Sequence, residues 1–255
     1  GRGNSLIHDS KNAISDEGTD FFNSAYQEVY SNLLARDLDD EINFIKNRIL
    51  KHFENPKIMD FCCGHGRHLL KLWEEGYNIH GLDINENFLK HISDKSNAHV
   101  PTFLADGRCF VPKHRYHVVL NMETSIVYMS DKENKKMLET MYLCLETGGK
   151  LLLHLANREY LIKHFNPIIW FGNAESGYAL EKRSLDLLNG TLKINQTRLI
   201  NNKTSHHVIT MRLYTVTEIK NALEQTGFNI EHIYGDFNGS EYTIESPSIL
   251  VICSK

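Results

Sequence analysis

The sequence predicts an α/β protein built on a doubly wound, mostly parallel sheet, and three observations carry that expectation. Apolar runs of strand length alternate with helical spacings from residue 57 onward. A small-residue turn, Cys62-Cys63-Gly64-His65-Gly66, joins the first such strand to the first helix of the alternation. Between residues 178 and 214 the rhythm breaks into three successive strands, so a three-stranded antiparallel insertion is expected before the last helix.

Residues up to about 18 are polar and aperiodic and read as a frayed terminus. Phe21, Phe22, Tyr26, Tyr30, Leu33 and Leu34 then recur at helical spacing, and Ile42, Ile45 and Ile49 mark a second helix over 39–52. Residues 1–55 are therefore read as a tail with lid helices, and 56–255 as the main domain carrying the 178–214 insertion. A buried strand covers 57–61, Leu69, Leu70, Leu72 and Trp73 give the next helix its apolar face, and 77–82 forms the second strand. Asn85 caps a helix through Phe88, Leu89 and Ile92, and strands follow over 101–105 and 116–122. Ser130-x-x-Glu133 reads as a capping box for a helix with Met137, Leu138, Met141, Tyr142 and Leu145 on its inner face, stopped by Gly148-Gly149. Leu151, Leu152 and Leu153 lead a strand that ends near His154. Asn189-Gly190 and Asn201-Asn202-Lys203 turn the insertion's strands, Asn-Gly between alternating runs being a strong hairpin signal. Thr215-x-x-Glu218 opens the last helix, Gly227 ends it, and two strands over 228–234 and 248–253 close the sheet.

Composition bounds the function classes. The 255 residues suit one large α/β domain with an insertion, and the net charge of −4 shows no electrostatic footprint for nucleic acid. Five cysteines without C-x-x-C or Cys/His spacing suit reduced thiols in a cytoplasmic setting and give no reason to expect a metal. No run approaches transmembrane length, so no membrane partner is expected.

The chemistry concentrates in residues 58–83. Asp60 stands at the end of the first strand, Gly64 and Gly66 allow a tight strand-to-helix turn, and Asp83 stands where an acid can take both ribose hydroxyls of a nucleoside. Leu69 replaces the third glycine of G-x-G-x-x-G, removing the close helix–strand approach of a dinucleotide fingerprint. A carboxylate at Asp60 repels a diphosphate but suits a cation, such as the ammonium or sulfonium of S-adenosylmethionine (SAM). Another adenosine ligand is the competing reading.

The pattern D-x-C-C-G-x-G, followed by an acid about twenty residues on, resembles the first two motifs of class I SAM-dependent methyltransferases. Their usual form is D-x-G-x-G-x-G, and Cys62 stands at its first glycine, where the backbone loses a glycine-only conformation. The resemblance implies a Rossmann-like fold with SAM as cofactor, held by Asp60, Cys62, Gly64, Gly66, Asp83, Ile84, Asp106, Gly107 and Asn121. In it Asp106 accepts from the adenine amino group and Ile84 covers an adenine face. The stretch Thr124-Ser125-Ile126-x-Tyr128 is similar to Ser-Ser-Ile-Gly-His in N-methyltransferases acting on nucleotide-linked amino sugars. The Tyr30 helix, the insertion and His206-His207 extend that similarity. It implies Tyr30 and Tyr128 beside the acceptor; His154, read from its place at a strand tip, is the reserve base.

The leading reading is methyl transfer to a small-molecule amine or hydroxyl. A SAM-consuming enzyme that transfers no methyl, such as one cyclising SAM itself, uses the same cofactor site, and a protein methyltransferase remains an alternative. Trp170 and Phe171 are candidates for an acceptor wall or for core, and Arg212 and Tyr214 for acceptor binding or for anchoring the last helix. His65 and His68 are read as solvent-facing or helix-packing. The added sheet offers a face on which a second copy can pair as a homodimer.

Overall fold

The computed structural model describes residues 37–123 and 125–255. The helix and tyrosines expected before residue 37, Tyr26 and Tyr30 among them, lie outside the described residues.

A seven-stranded sheet runs in the order β10-β11-β5-β4-β1-β2-β3. Its strands are β1 (Lys57–Phe61), β2 (Asn78–Asp83), β3 (Thr102–Leu104), β4 (Tyr116–Asn121), β5 (Leu145–Ala156), β10 (Asn229–Tyr234) and β11 (Ser248–Ser254). β1 to β5 are parallel, whereas β11 pairs antiparallel with β5, and β10 with β11. Strand order reverses between β1 and β4, the switch point beyond whose carboxyl ends open α/β sheets bind ligands.

Helices cover both faces. On one side α1 (Leu38–Arg48), α2 (Arg67–Glu74) and α3 (Glu86–Ser96) bury Ile42, Phe44, Ile45, Leu69, Leu72 and Ile92 against Ile58, Val118, Leu120 and Leu152. On the other, α4 (Asp131–Cys144) and α6 (Val216–Thr226) bury Met137, Leu138, Met141, Ile219 and Leu223 against Met59, Phe61, Val119 and Leu153. Side chains of a strand alternate between faces. Asp60 and His154 thus share the side of Ile58 and Leu152, toward α1 and α2, and this places both site groups.

Local chemistry explains the helix ends. Asn85 Oδ1 accepts from the Asn87 and Phe88 amides at 3.0 and 3.2 Å. Thr215 and Glu218 form the reciprocal box, and Gly227 closes α6 in the left-handed region. At α4 only half the expected box forms in this way. Ser130 Oγ accepts from the Glu133 amide, while the Glu133 carboxylate turns to Arg108 and Lys136, full charges in place of a neutral amide. Gly148-Gly149 does not stop α4, which ends at Cys144, and both glycines lie inside β5.

The insertion is a separate antiparallel sheet, ordered β6-β7-β8-β9, of four strands rather than three. β7 (Gly177–Asp186), β8 (Thr191–Ile200) and β9 (Lys203–Arg212) turn at the two expected places. The unforeseen strand is β6 (Ile168–Asn173), which carries Trp170 and Phe171 and follows the short α5 (Arg158–Lys163). Pro167 just before it obscures the strand in the sequence, since proline cannot donate within a ladder.

The second sheet stands on the strand-tip side of the domain. At the end of β9, Arg212 Nε donates to Asp131 Oδ1 (3.1 Å), and Arg212 also pairs with Glu218. Tyr214 Oη donates to Asp131 Oδ1 (2.8 Å) and accepts from Asn134 Nδ2 (3.0 Å). Arg212 and Tyr214 therefore anchor the heads of α4 and α6. Leu192, Ile194, Ile209 and Met211 on the sheet's inner face join the same cluster as Ile126, Tyr128 and Met129.

Candidate active site

The glycine turn begins where β1 ends. Cys62 adopts φ +64°, so this cysteine does enter the left-handed region, at the modest steric cost a small residue bears there. Gly64 and Gly66 follow at φ +59° and +89°. A Cβ on Gly66 would lie 2.7 Å from Ile92 Cγ1, so glycine also lets the head of α2 close on α3. The helix–strand approach that Leu69 was expected to remove is restored from the other partner. Gly81 of β2 leaves the room, and a Cβ there would meet Leu69 Cδ1 at 2.7 Å.

Asp83, fully buried at the tip of β2, ties the turn to the next helix. Its Oδ2 accepts from the Gly64 amide (2.9 Å) and its Oδ1 from the Asn85 amide (2.8 Å). Ile84 beside it is half-buried.

Asp60 is 2 % exposed, and burial pushes its carboxyl up to about 7, reinforced by the negative charges of Glu123 and Asp83 and opposed by His68. Asp60 and Asp83 crowd one turn, while the Glu123 charge is matched by Arg67, and a site of two such acids favours a cation. The residues present therefore fit the sulfonium and ammonium of SAM better than a diphosphate.

Asn121 at the tip of β4 donates from Nδ2 to the Phe61 carbonyl (2.9 Å), locking the β1 and β4 tips together across the switch point. Asp106 follows β3 as expected, but its carboxylate is gripped by Arg108 through Nε at 3.0 Å to both oxygens and Nη2 at 2.6 Å. An adenine amino group would share that carboxylate. Gly107 is a packing position, since a Cβ there would stand 2.7 Å from Phe61 Cζ.

Of the residues expected at the acceptor, Tyr128 is buried in the apolar cluster after the short 3₁₀ turn Ser125–Val127. His154 Nδ1 accepts from the Glu123 amide at 3.0 Å, and its Nε2 lies 3.3 Å from Ser248 Oγ. Burial pushes its imidazolium down to about 4. The neutral ring thus carries its proton on Nε2, and its one basic lone pair is already engaged.

Sequence reasoning missed the ion network beneath the turn. Arg67, the first residue of α2, pairs with Glu41 of α1 (2.6 Å) and with Glu123 (3.0 Å), and His68 Nε2 meets Glu41 Oε1 at 3.3 Å. His68 is buried there, while His65 stays half-buried near Phe88 and His91. Two basic residues directly after the glycine turn were the available signal, but nothing local identified their partners.

Residues 58–149 match the family model described as a methyltransferase domain. Residues 58–149 thus carry a methyltransferase domain, which supports SAM-dependent methyl transfer with SAM as the cofactor. Among solved structures it is similar to a SAM-dependent methyltransferase from Clostridium acetobutylicum, at 13% identity and TM-score 0.78, over 88% of this chain and 95% of that one. A sugar N-methyltransferase from a Streptoalloteichus species aligns at 16% identity and TM-score 0.69, over 88% and 92%. A SAM-bound amino pentose methyltransferase from Micromonospora echinaspora aligns at 16% identity and TM-score 0.69, over 91% and 97%. Identities this low establish the fold. No curated protein matches the chain. Among the described residues no group of side chains could hold a metal ion, and no helix is long and apolar enough to cross a membrane.

Proposed function

We propose that the enzyme methylates the amine nitrogen of a small-molecule acceptor. The observation that carries this reading is the state of His154. A hydroxyl acceptor needs a base to take its proton, and the lone pair of the strand-tip histidine is already held by the Glu123 amide. A neutral amine is nucleophilic without one. The sugar N-methyltransferase and the amino pentose methyltransferase of like fold support an amine-bearing acceptor.

SAM supplies the activated methyl group together with its own leaving group. In this reading Asp83 takes the ribose hydroxyls, Ile84 and Asp106 flank the adenine, and Asp60 and the Gly64–Gly66 turn take the amino acid end. Cys62, Gly107 and Asn121 shape the turn and the strand tips around it. Tyr128 and Tyr30 shape the acceptor pocket and orient the amine by contact and hydrogen bond, so that much of the acceleration comes from placement and exclusion of water. His154 keeps the loop after β4 in place.

The outward face of the second sheet exposes Ile168, Trp170, Tyr178, Leu180 and Leu199, which supports pairing with a second copy, a point that light scattering tests directly. The acceptor reading is tested by SAM turnover against a panel of small amines and hydroxylated metabolites, with products identified by mass spectrometry. Methyl groups found on nitrogen support it. Methylated oxygen or carbon, or SAM consumed with no methylated product, overturns it.

A further inference from the structure

Glu41, Arg67 and Glu123 form one clamp beneath the cofactor turn, and two of its members sit where local physics disfavours them. Arg67 places a cation at the head of α2, against the helix dipole. Glu123 holds a non-glycine backbone at φ +65°. The side chains of Arg67, Glu41 and Glu123 are only 9, 6 and 13 % exposed, so three charges are largely withdrawn from water. Stability alone would favour an apolar contact here, and such conflicts mark positions held for a functional reason.

The geometry shows what the clamp connects. Arg67 is the residue directly after Gly66, so it moves with the turn. Its Nη2 reaches Glu41 on α1 and its Nη1 reaches Glu123, the start of the segment that leads through the Ser125–Val127 turn to Tyr128. The Glu123 amide is fixed independently by His154 of β5. A planar guanidinium can hold two carboxylates in fixed directions at once, which a lysine ammonium cannot do with the same geometry.

We propose that Arg67 is a positioning residue that couples the cofactor turn to the acceptor segment 123–128, so that cofactor binding sets that segment before the acceptor engages it. This rests on the reading that the cofactor's amino acid end lies at the Gly64–Gly66 turn. Occupation of the turn fixes the head of α2, and through the two ion pairs it fixes α1 and the segment bearing Tyr128.

The test uses S-adenosylhomocysteine as probe, with amide hydrogen exchange read by mass spectrometry. In the wild type the probe should slow exchange over residues 122–130 by about tenfold or more. Arg67→Lys and Glu123→Gln should bind it within about threefold of the wild-type affinity yet lose nearly all of that added protection. A merely structural arginine would instead lower the melting temperature and weaken probe binding together with loop protection. If the probe binds the wild type without protecting 122–130, or if the protection survives in both variants, the proposal is wrong. Where Arg67→Lys fails to fold, Glu123→Gln, which leaves the Arg67–Glu41 pair intact, decides alone. Probe affinity unchanged by Asp83→Ala would count instead against the placement of the cofactor.

Discussion

Replacing Asp60 by asparagine isolates the electrostatics of the turn proposed to hold the cofactor. Burial raises this carboxyl from its ordinary 3.8 to about 7. At 1.36 kcal/mol per pH unit, ionising it in the cofactor-free fold costs about 4 kcal/mol once the pH is well above 7. Because the folded value lies above the unfolded one, the penalty is absent below about pH 4, grows as pH rises, and is complete above about pH 7. The amide that replaces it in D60N never ionises. The cofactor-free D60N protein should therefore gain stability over the wild type between pH 5 and 8, at about 2–4 °C of melting temperature per kcal/mol. SAM reverses the sign, because a cation beside Asp60 favours the carboxylate. Near pH 7 the wild type should release about half a proton on binding SAM, fewer near pH 8.5, and D60N none at this position. D60N should also bind SAM about 10–100-fold more weakly, the worth of one charge-assisted bond. Thermal unfolding at pH 5 and 8, and calorimetry in two buffers of different ionisation enthalpy, measure these quantities. Matching pH–stability profiles and proton counts in the two proteins would refute both the buried acid and its pairing with the cofactor.

Asp83→Ala should weaken SAM binding about tenfold or more by removing the carboxylate proposed to take the ribose hydroxyls, as a calorimetric titration would show. Tyr30→Phe and Tyr128→Phe should each lower turnover of the amine acceptor at saturating SAM with SAM affinity nearly intact, and full activity in both would make them scaffolding. Gly107→Ala pushes a methyl group to within 2.7 Å of Phe61 Cζ, so it should cost about 1–3 kcal/mol in denaturant unfolding.

The sequence announced what is local. The run Lys-Ile-Met-Asp-Phe at 57–61 gives β1 with the same bounds, because a short apolar run next to a glycine turn leaves little choice. Asn85, Thr215 and Gly227 cap or end their helices as read, since capping needs only residues within one turn. The strand-tip positions of Asp60, Asp83, Asn121 and His154 followed from strand placement in the same way. Pairing across the chain was not legible. Glu123 lies 56 residues from Arg67, and Glu41 lies 27 from His68, so ordinary surface-type residues became a buried network only through folding. His154 shows the same limit. Its position was readable, but the occupation of its lone pair depends on an amide 31 residues away.

The left-handed backbone at Cys62 bears on how the motif can be recognised in other chains. The turn requires a φ near +60° at that point rather than glycine as such, and Cys62 meets that requirement at +64°. A pattern that insists on glycine at the first position passes over chains in which another residue adopts the same dihedral, asparagine and aspartate being the most tolerant alternatives. Gly66 is less forgiving, because Ile92 fills the space a side chain would need. A pattern weighted by such steric room, strict at the third position and loose at the first, would recover divergent chains that a uniform glycine rule discards.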